Sequence, residues 1–201
     1  AAVAVDSYAF DQHDFEALAE RTVVLAIDDL AAFGHPADVV LNQNPEAQPS
    51  WYEPRPRGRL LAGGQYVLLR AELRAPPPRA VDAGRRILVT FGGSDPARLT
   101  VPVVLALQQE APDGVEIAVV AGGGMDPEDS ARLQAMDGVG CVRVLRDVQN
   151  MATLFRSARV ALSAAGSTTW ELLSCGVVPL VVAVAHNQRE SGPAITRRGV
   201  G

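Results

Sequence analysis

The chain contains no lysine; all 18 of its basic residues are arginine. A Walker A phosphate loop, a Schiff-base amine and a lysine general base are therefore excluded. Histidine and cysteine are nearly as scarce, with His13, His35 and His186, and Cys141 and Cys175, making up the whole complement. The two cysteines lack the paired spacing of a zinc site, so no metal is expected, and reduced, buried thiols suit a cytoplasmic protein. Aromatic residues amount to only 5%, like charges form no block, and the net charge is −5, which together argue against a nucleic-acid groove. No apolar run is long enough to span a membrane. A small ligand is the class that remains.

With 48% hydrophobic residues, a chain of 201 can bury one large core or two small ones. Its first residues, Ala1-Ala2-Val3-Ala4-Val5, have neither an initiator Met nor the charged flank of a signal peptide, and look like a strand already in progress. Arg197-Arg198-Gly199-Val200-Gly201 looks like a helix stop leading into a further strand. The expectation is a fragment cut at both ends.

Short apolar runs alternate with helix-period segments, the pattern of βαβ units and a parallel sheet. In the first half this predicts strands over Val3–Asp6, Val23–Ile27 and Asp38–Leu41 and a helix over Asp14–Glu20. From Asn44 to Gly64 the density of Pro, Gly and Arg predicts little beyond a turn or two. Ala75-Pro76-Pro77-Pro78-Arg79 reads as a stiff connection, so the domains are expected to be 1–74 and 85–201, with 75–84 as linker. The second half repeats the alternation more regularly. Strands are predicted over Arg86–Phe91, Val115–Ala121, Val139–Leu145, Val160–Ser163 and Val177–Val184, and helices over Leu99–Ala111, Pro127–Met136, Met151–Ser157, Thr169–Cys175 and Gln188–Arg198. Such a Rossmann-like sheet holds ligands at the C-terminal ends of its strands.

Three loops in those places could carry chemistry. Gly92-Gly93-Ser94 links a strand to a helix, so its backbone N–H groups could take a phosphate, or the glycines could simply make the turn. It is not the dinucleotide fingerprint, which needs G-x-G-x-x-G and a later acidic residue. Gly166-Ser167-Thr168 precedes a helix that carries Glu171. Two readings stay open there: a capping box from Thr168 to Glu171, or a diphosphate loop with Glu171 on ribose hydroxyls. His186-Asn187-Gln188 follows the last apolar strand, where amides could meet sugar hydroxyls or merely start a helix. Trp170 and Met151 read as core, and Cys175 as a small buried residue at a helix end. In the first half Asp6, Tyr8 and Asp28 lie at strand ends and could line a cleft, although Asp28-Asp29 also suits a strand terminator. His13 and His35 read as exposed loop residues.

Seven blocks occur in order: Val5-Asp6-Ser7-Tyr8, Ile27-Asp28-Asp29-Leu30, Leu41-Asn42-Gln43-Asn44, Gly64-Gln65-Tyr66-Val67-Leu68-Leu69-Arg70, Phe91-Gly92-Gly93-Ser94-Asp95-Pro96, Gly166-Ser167-Thr168-Thr169-Trp170-Glu171 and Asn187-Gln188. In this the chain resembles the PseG family of UDP-sugar hydrolases of pseudaminic acid biosynthesis and, more distantly, the MurG glycosyltransferases of the GT-B fold. The resemblance implies an α/β protein of two Rossmann-like domains with parallel sheets facing across a cleft, the N-terminal one incomplete. It implies water attacking the anomeric carbon of a UDP-linked 2,4-diacetamido-2,4,6-trideoxy hexose, with inversion and with neither metal nor cofactor. Glu171 resembles the family's ribose-binding glutamate and Gly166-Ser167-Thr168 its diphosphate loop. Gly92, Gly93 and Ser94 would face phosphates and sugar, Asn187 and Gln188 the hexose, and the segment from Val148 to Met151 would read uracil. The family's base is a histidine in an N-terminal glycine-rich loop, and nothing before Asp6 supplies it. The 201-residue chain is therefore expected to bind UDP weakly and to turn over little. A UDP-sugar glycosyltransferase is the first alternative. A UDP-sugar 2-epimerase and a non-catalytic nucleotide-sugar binding module are the others.

Overall fold

The computed structural model describes residues 1–44, 46–75, 78, 80, 83–185, 188–189 and 191–197. The chain divides into two compact units, Ala1–Leu68 and Leu69–Gly201, each with its own all-parallel sheet.

The first unit contains β1 (Ala2–Val5), α1 (Gln12–Ala19), β2 (Val23–Ile27), β3 (Val39–Asn42) and β4 (Arg59–Ala62), with strand order β1-β2-β3-β4. Helix α1 starts at a reciprocal capping box in which Asp14 N donates to Asp11 and Asp11 N donates to Asp14, both at 3.0 Å. It lays Phe15 on Val24, Ala26 and Val40, all buried, with Tyr52 closing the cluster. The β4 strand lies inside the stretch expected to be irregular, and so corrects that expectation. Its entry depends on Gly58, where a Cβ would sit 2.0 Å from the carbonyl oxygen of Asp38. Only glycine lets the chain pass so close before Arg59 pairs with Val39.

The unit boundary falls earlier than the Pro-rich stretch suggested. Leu73, in a 3-10 turn over Ala71–Leu73, is 1% exposed and packs with Ala152 and Phe155. Residues 69–74 thus belong to the second unit, whose core takes in the buried Leu73 with Leu69 packed against it.

The second unit contains β5 (Arg86–Thr90), α2 (Thr100–Glu110), β6 (Glu116–Val120), α3 (Pro127–Met136), β7 (Val142–Leu145), α4 (Met151–Arg156), β8 (Val160–Ala164), α5 (Thr168–Ser174), β9 (Val178–Val182) and α6 (Ser191–Arg197). Its strand order is β7-β6-β5-β8-β9. Side-chain alternation sends Leu88, Ala118 and Ala161 to one face, against Phe155 and Leu172, and Val89, Ile117 and Val119 to the other, against Val101, Val104 and Leu133. The sheet is therefore covered by helices on both faces. Strand β9 has only β8 beside it among the described residues, and Val178, Leu180 and Val182 are exposed.

Candidate functional site

In the second sheet the chain grows from β5 to β6 and β7 on one side, then returns to lay β8 and β9 on the other. The direction reverses between β5 and β8, whose ends pair Thr90 with Ser163. Loops leaving adjacent strands at such a reversal diverge to opposite faces and open a crevice, where ligands bind in doubly wound sheets.

The loop after β5 is held from behind. Asp95, buried and in the left-handed region at φ 44°, accepts from Leu99 N at 3.0 Å and Thr100 N at 2.8 Å at the start of α2. Gly124 N donates to the Gly93 carbonyl at 2.9 Å, and a Cβ at Gly122 would lie 2.3 Å from that same oxygen. Gly92, Gly93 and Ser94 remain exposed, with open space around both glycines and Gly92 at φ 83°. Arg98 adds a brace by donating to both oxygens of Asp129, at 2.6 and 2.8 Å, which ties the start of α2 to that of α3. That pairing holds the Asp129 carboxyl below its ordinary range and raises the Arg98 guanidinium.

The loop after β8 corrects the capping-box reading. Ser167 is the cap residue of α5 and makes no side-chain cap hydrogen bond. The Glu171 carboxylate turns instead to Arg70, whose Nε donates to Oε1 at 2.7 Å and Nη2 to Oε2 at 2.5 Å. Glu171 is 9% exposed, and this hydrogen bonding raises the Arg70 pKa. Gly166 is half-buried, Ser167 exposed and Thr168 half-buried. Gln188 reaches this loop from beyond β9, its Oε1 accepting from Val184 N at 3.0 Å and its Nε2 lying 3.6 Å from where a Gly166 Cβ would stand. His186 and Asn187 lie outside the described residues.

Val148 is half-buried and packs on the core cluster of Met151 and Phe155. Asn150 caps α4 by accepting from Thr153 N at 2.9 Å, and Met151 N donates to Glu72 at 3.2 Å. Met151 and Cys175 are buried as expected, whereas Trp170 is half-buried. Sequence reasoning gave no role to Arg70, Glu72 or Asp95. Arg70 and Asp95 stand inside two of the seven blocks that carry the resemblance, the one signal that pointed to them.

In the first unit the strand-end polar residues serve the local structure. Asp28 accepts from Leu30 N and Ala31 N at 2.9 and 3.2 Å, and thereby terminates its strand. Tyr8, exposed beside Asp6, donates to Asp29 at 2.9 Å. Buried Tyr52 donates to the Asp28 carbonyl at 3.2 Å and accepts from Asn42 at 3.1 Å, and burial together with the charge of Asp28 raises its phenol pKa. His13 is exposed, but on α1 and not in a loop. His35 overturns its expectation. It is 3% exposed, edge-on to Phe15 at 4.2 Å and beside Phe33 at 4.8 Å, because a neutral imidazole packs as an aromatic ring. Burial lowers its pKa against the opposing pull of Asp28. Among the described residues no group of three or more His, Cys, Asp or Glu could hold a metal ion, and no helix is long and apolar enough to cross a membrane.

No protein-family model matches the chain. The spore coat polysaccharide biosynthesis protein SpsG of Bacillus subtilis is 26% identical over 115 residues, covering 57% of this chain and 34% of that protein. MurG of Acinetobacter baumannii superposes with a TM-score of 0.58 at 20% identity, over 96% of this chain and 56% of its own. The spinosyn rhamnosyltransferase SpnG, solved with thymidine diphosphate, gives 0.56 at 18%, over 90% of this chain and 53% of its own. The chain spans 28–34% of the length of the curated relatives it matches. Its fold is α/β with two parallel sheets and matches structures of GT-B glycosyltransferases.

Proposed function

We propose that the second unit binds a nucleoside diphosphate sugar and that the parent enzyme transfers the sugar to an acceptor during polysaccharide assembly. The observation that carries this reading is the pair of small-residue loops that flank the β5/β8 reversal, Gly92–Ser94, which is exposed, and Gly166–Thr168, which exposes Ser167 between half-buried neighbours. Backbone N–H groups and hydroxyls of Gly92, Gly93, Ser94, Gly166, Ser167 and Thr168 would hold the diphosphate. They would thereby stabilise it as a leaving group in a chain without lysine. Glu171 would accept from the ribose, the backbone near Val148 would read the base, and Gln188 with Asn187 would meet the sugar. The GT-B superpositions and the polysaccharide role in the name of the Bacillus subtilis relative favour transfer. Hydrolysis of a UDP-linked 2,4-diacetamido-2,4,6-trideoxy hexose in nonulosonic acid biosynthesis is the second reading, favoured by the seven ordered blocks.

Ligand-observed NMR with UDP tests the binding claim. Saturable binding is expected, weakened about tenfold by Glu171→Ala, the scale of a hydrogen bond to a charged group. Unchanged affinity in that variant would remove the ribose assignment, and absence of UDP binding would remove the reading itself. Product analysis of the parent protein with a UDP-sugar, with and without acceptor, separates transfer from hydrolysis.

A further inference from the structure

We propose that Arg70 is a positioning residue that holds the Glu171 carboxylate in the orientation that receives a nucleotide ribose; this rests on the ribose reading of Glu171 given above. The spacing from Thr168 to Glu171 would let the carboxylate fold back onto its own helix start as a capping box. It does not, and Ser167 and the helix start lack a side-chain cap. Arg70 has won that competition with a bidentate fork, at 2.7 and 2.5 Å. Charge-assisted pairs of this kind are about twice as strong as neutral hydrogen bonds and fix the plane of the carboxylate. Each carboxylate oxygen keeps a second acceptor site, so a ribose hydroxyl can still donate to the carboxylate beside the arginine.

The arginine is not a free arm that must swing away. It directly precedes the turn Ala71–Leu73, which is anchored by fully buried Leu73 and by Glu72 accepting from Met151 N at 3.2 Å. One short strap therefore fastens the beginnings of both α4 and α5, the two helices that follow the proposed base-reading and diphosphate segments. Side-chain exposure fits the same role, 11% for Glu171 against 45% for Arg70, so the carboxylate is the confined partner.

The test compares UDP with 2′,3′-dideoxyuridine diphosphate, which lacks the diol, on the 201-residue chain and its Arg70→Ala, Arg70→Gln and Arg70→Lys variants. The unsubstituted chain should prefer UDP by about tenfold. Arg70→Ala should bring the ratio of the two affinities close to one, and Arg70→Lys should restore part of it, since an ammonium supplies charge without the fork. If Arg70→Ala does not fold, the ratio is read from the Gln and Lys variants. An equal loss for both nucleotides would show a merely structural role and overturn the proposal. A rise in UDP affinity would show a blocking role and overturn it as well. If the unsubstituted chain binds both nucleotides equally, the ribose reading of Glu171 fails first and this inference falls with it.

Discussion

The first unit lays its strands down in chain order, β1-β2-β3-β4, whereas the second begins in the middle of its sheet and builds outward in both directions. Both use parallel strands, yet the polar residues at their strand ends have different fates. In the first unit Asp28 and Asn42 accept from backbone N–H groups of their own loops, and Tyr8 donates to Asp29. In the second, the loops on either side of the reversal keep exposed glycines and hydroxyls, while Asp95, Gly124 and Arg70 hold them from behind. Where the winding reverses, neighbouring loops part and leave room for a ligand.

Each unit carries one tryptophan, Trp51 in the first and Trp170 in the second, so variants that retain only one of them report on the units separately. The largest expected effect is that of Phe155→Ala. It empties a fully buried site in the second core and should cost about 3–5 kcal/mol in urea unfolding. That loss should appear at Trp170 with Trp51 unmoved, and an equal shift at both would end the division into independent units. Next, Asp95→Ala removes the acceptor for Leu99 N and Thr100 N, a loss of about 1–2 kcal/mol at Trp170. Asp95→Asn should recover only part of it, since asparagine tolerates a positive φ but its single amide oxygen can accept from just one of the two N–H groups that Asp95 serves. Equal destabilisation by Asn and Ala would refute the capping role.

Tyr52→Phe leaves the Asn42 amide without its acceptor and should cost about 1 kcal/mol, this time at Trp51 alone. The smallest effect is the pH dependence of His35. Burial lowers its folded pKa below the ordinary 6.5, so the unfolded chain binds the proton more readily. Its contribution is complete above pH 6.5 and is lost as pH falls through 6.5 toward the folded value. First-unit stability should decline over that window in the natural chain and less so in His35→Leu. A decline of the same size in both would assign the pH dependence to other groups.

Much of the second unit was legible in the sequence. Helix α3 begins and ends where Asp126-Pro127 and the apolar spacing place it, with Asp126 accepting from Glu128 N as its cap. The positions of the loops after β5 and β8 were legible as well, because Gly, Ser and Thr between a strand run and a helix run interrupt both periods. The first unit was harder to read. Arg59–Ala62 is too short to show a period and follows Pro and Gly, and it becomes a strand only because β3 offers an edge past Gly58. His35 looked exposed because an imidazole carries no sign of the Phe15 and Phe33 rings that bury it.

The alternation of apolar runs with helical segments determined an α/β chain of parallel strands, because side-chain period and loop chemistry act over a few residues and are written in them. It also placed the small-residue loops after strands. Tertiary structure alone decided which strands became neighbours, and so where the winding reverses. It also decided the partner of Glu171: the cap spacing was local and visible, but the arginine that takes the carboxylate lies 101 positions away. A two-bond pair with a guanidinium outcompetes a single carboxylate-to-backbone cap bond once Leu73 is buried and sets Arg70 in place, and burial of that kind is a property of the folded core, not of the segment.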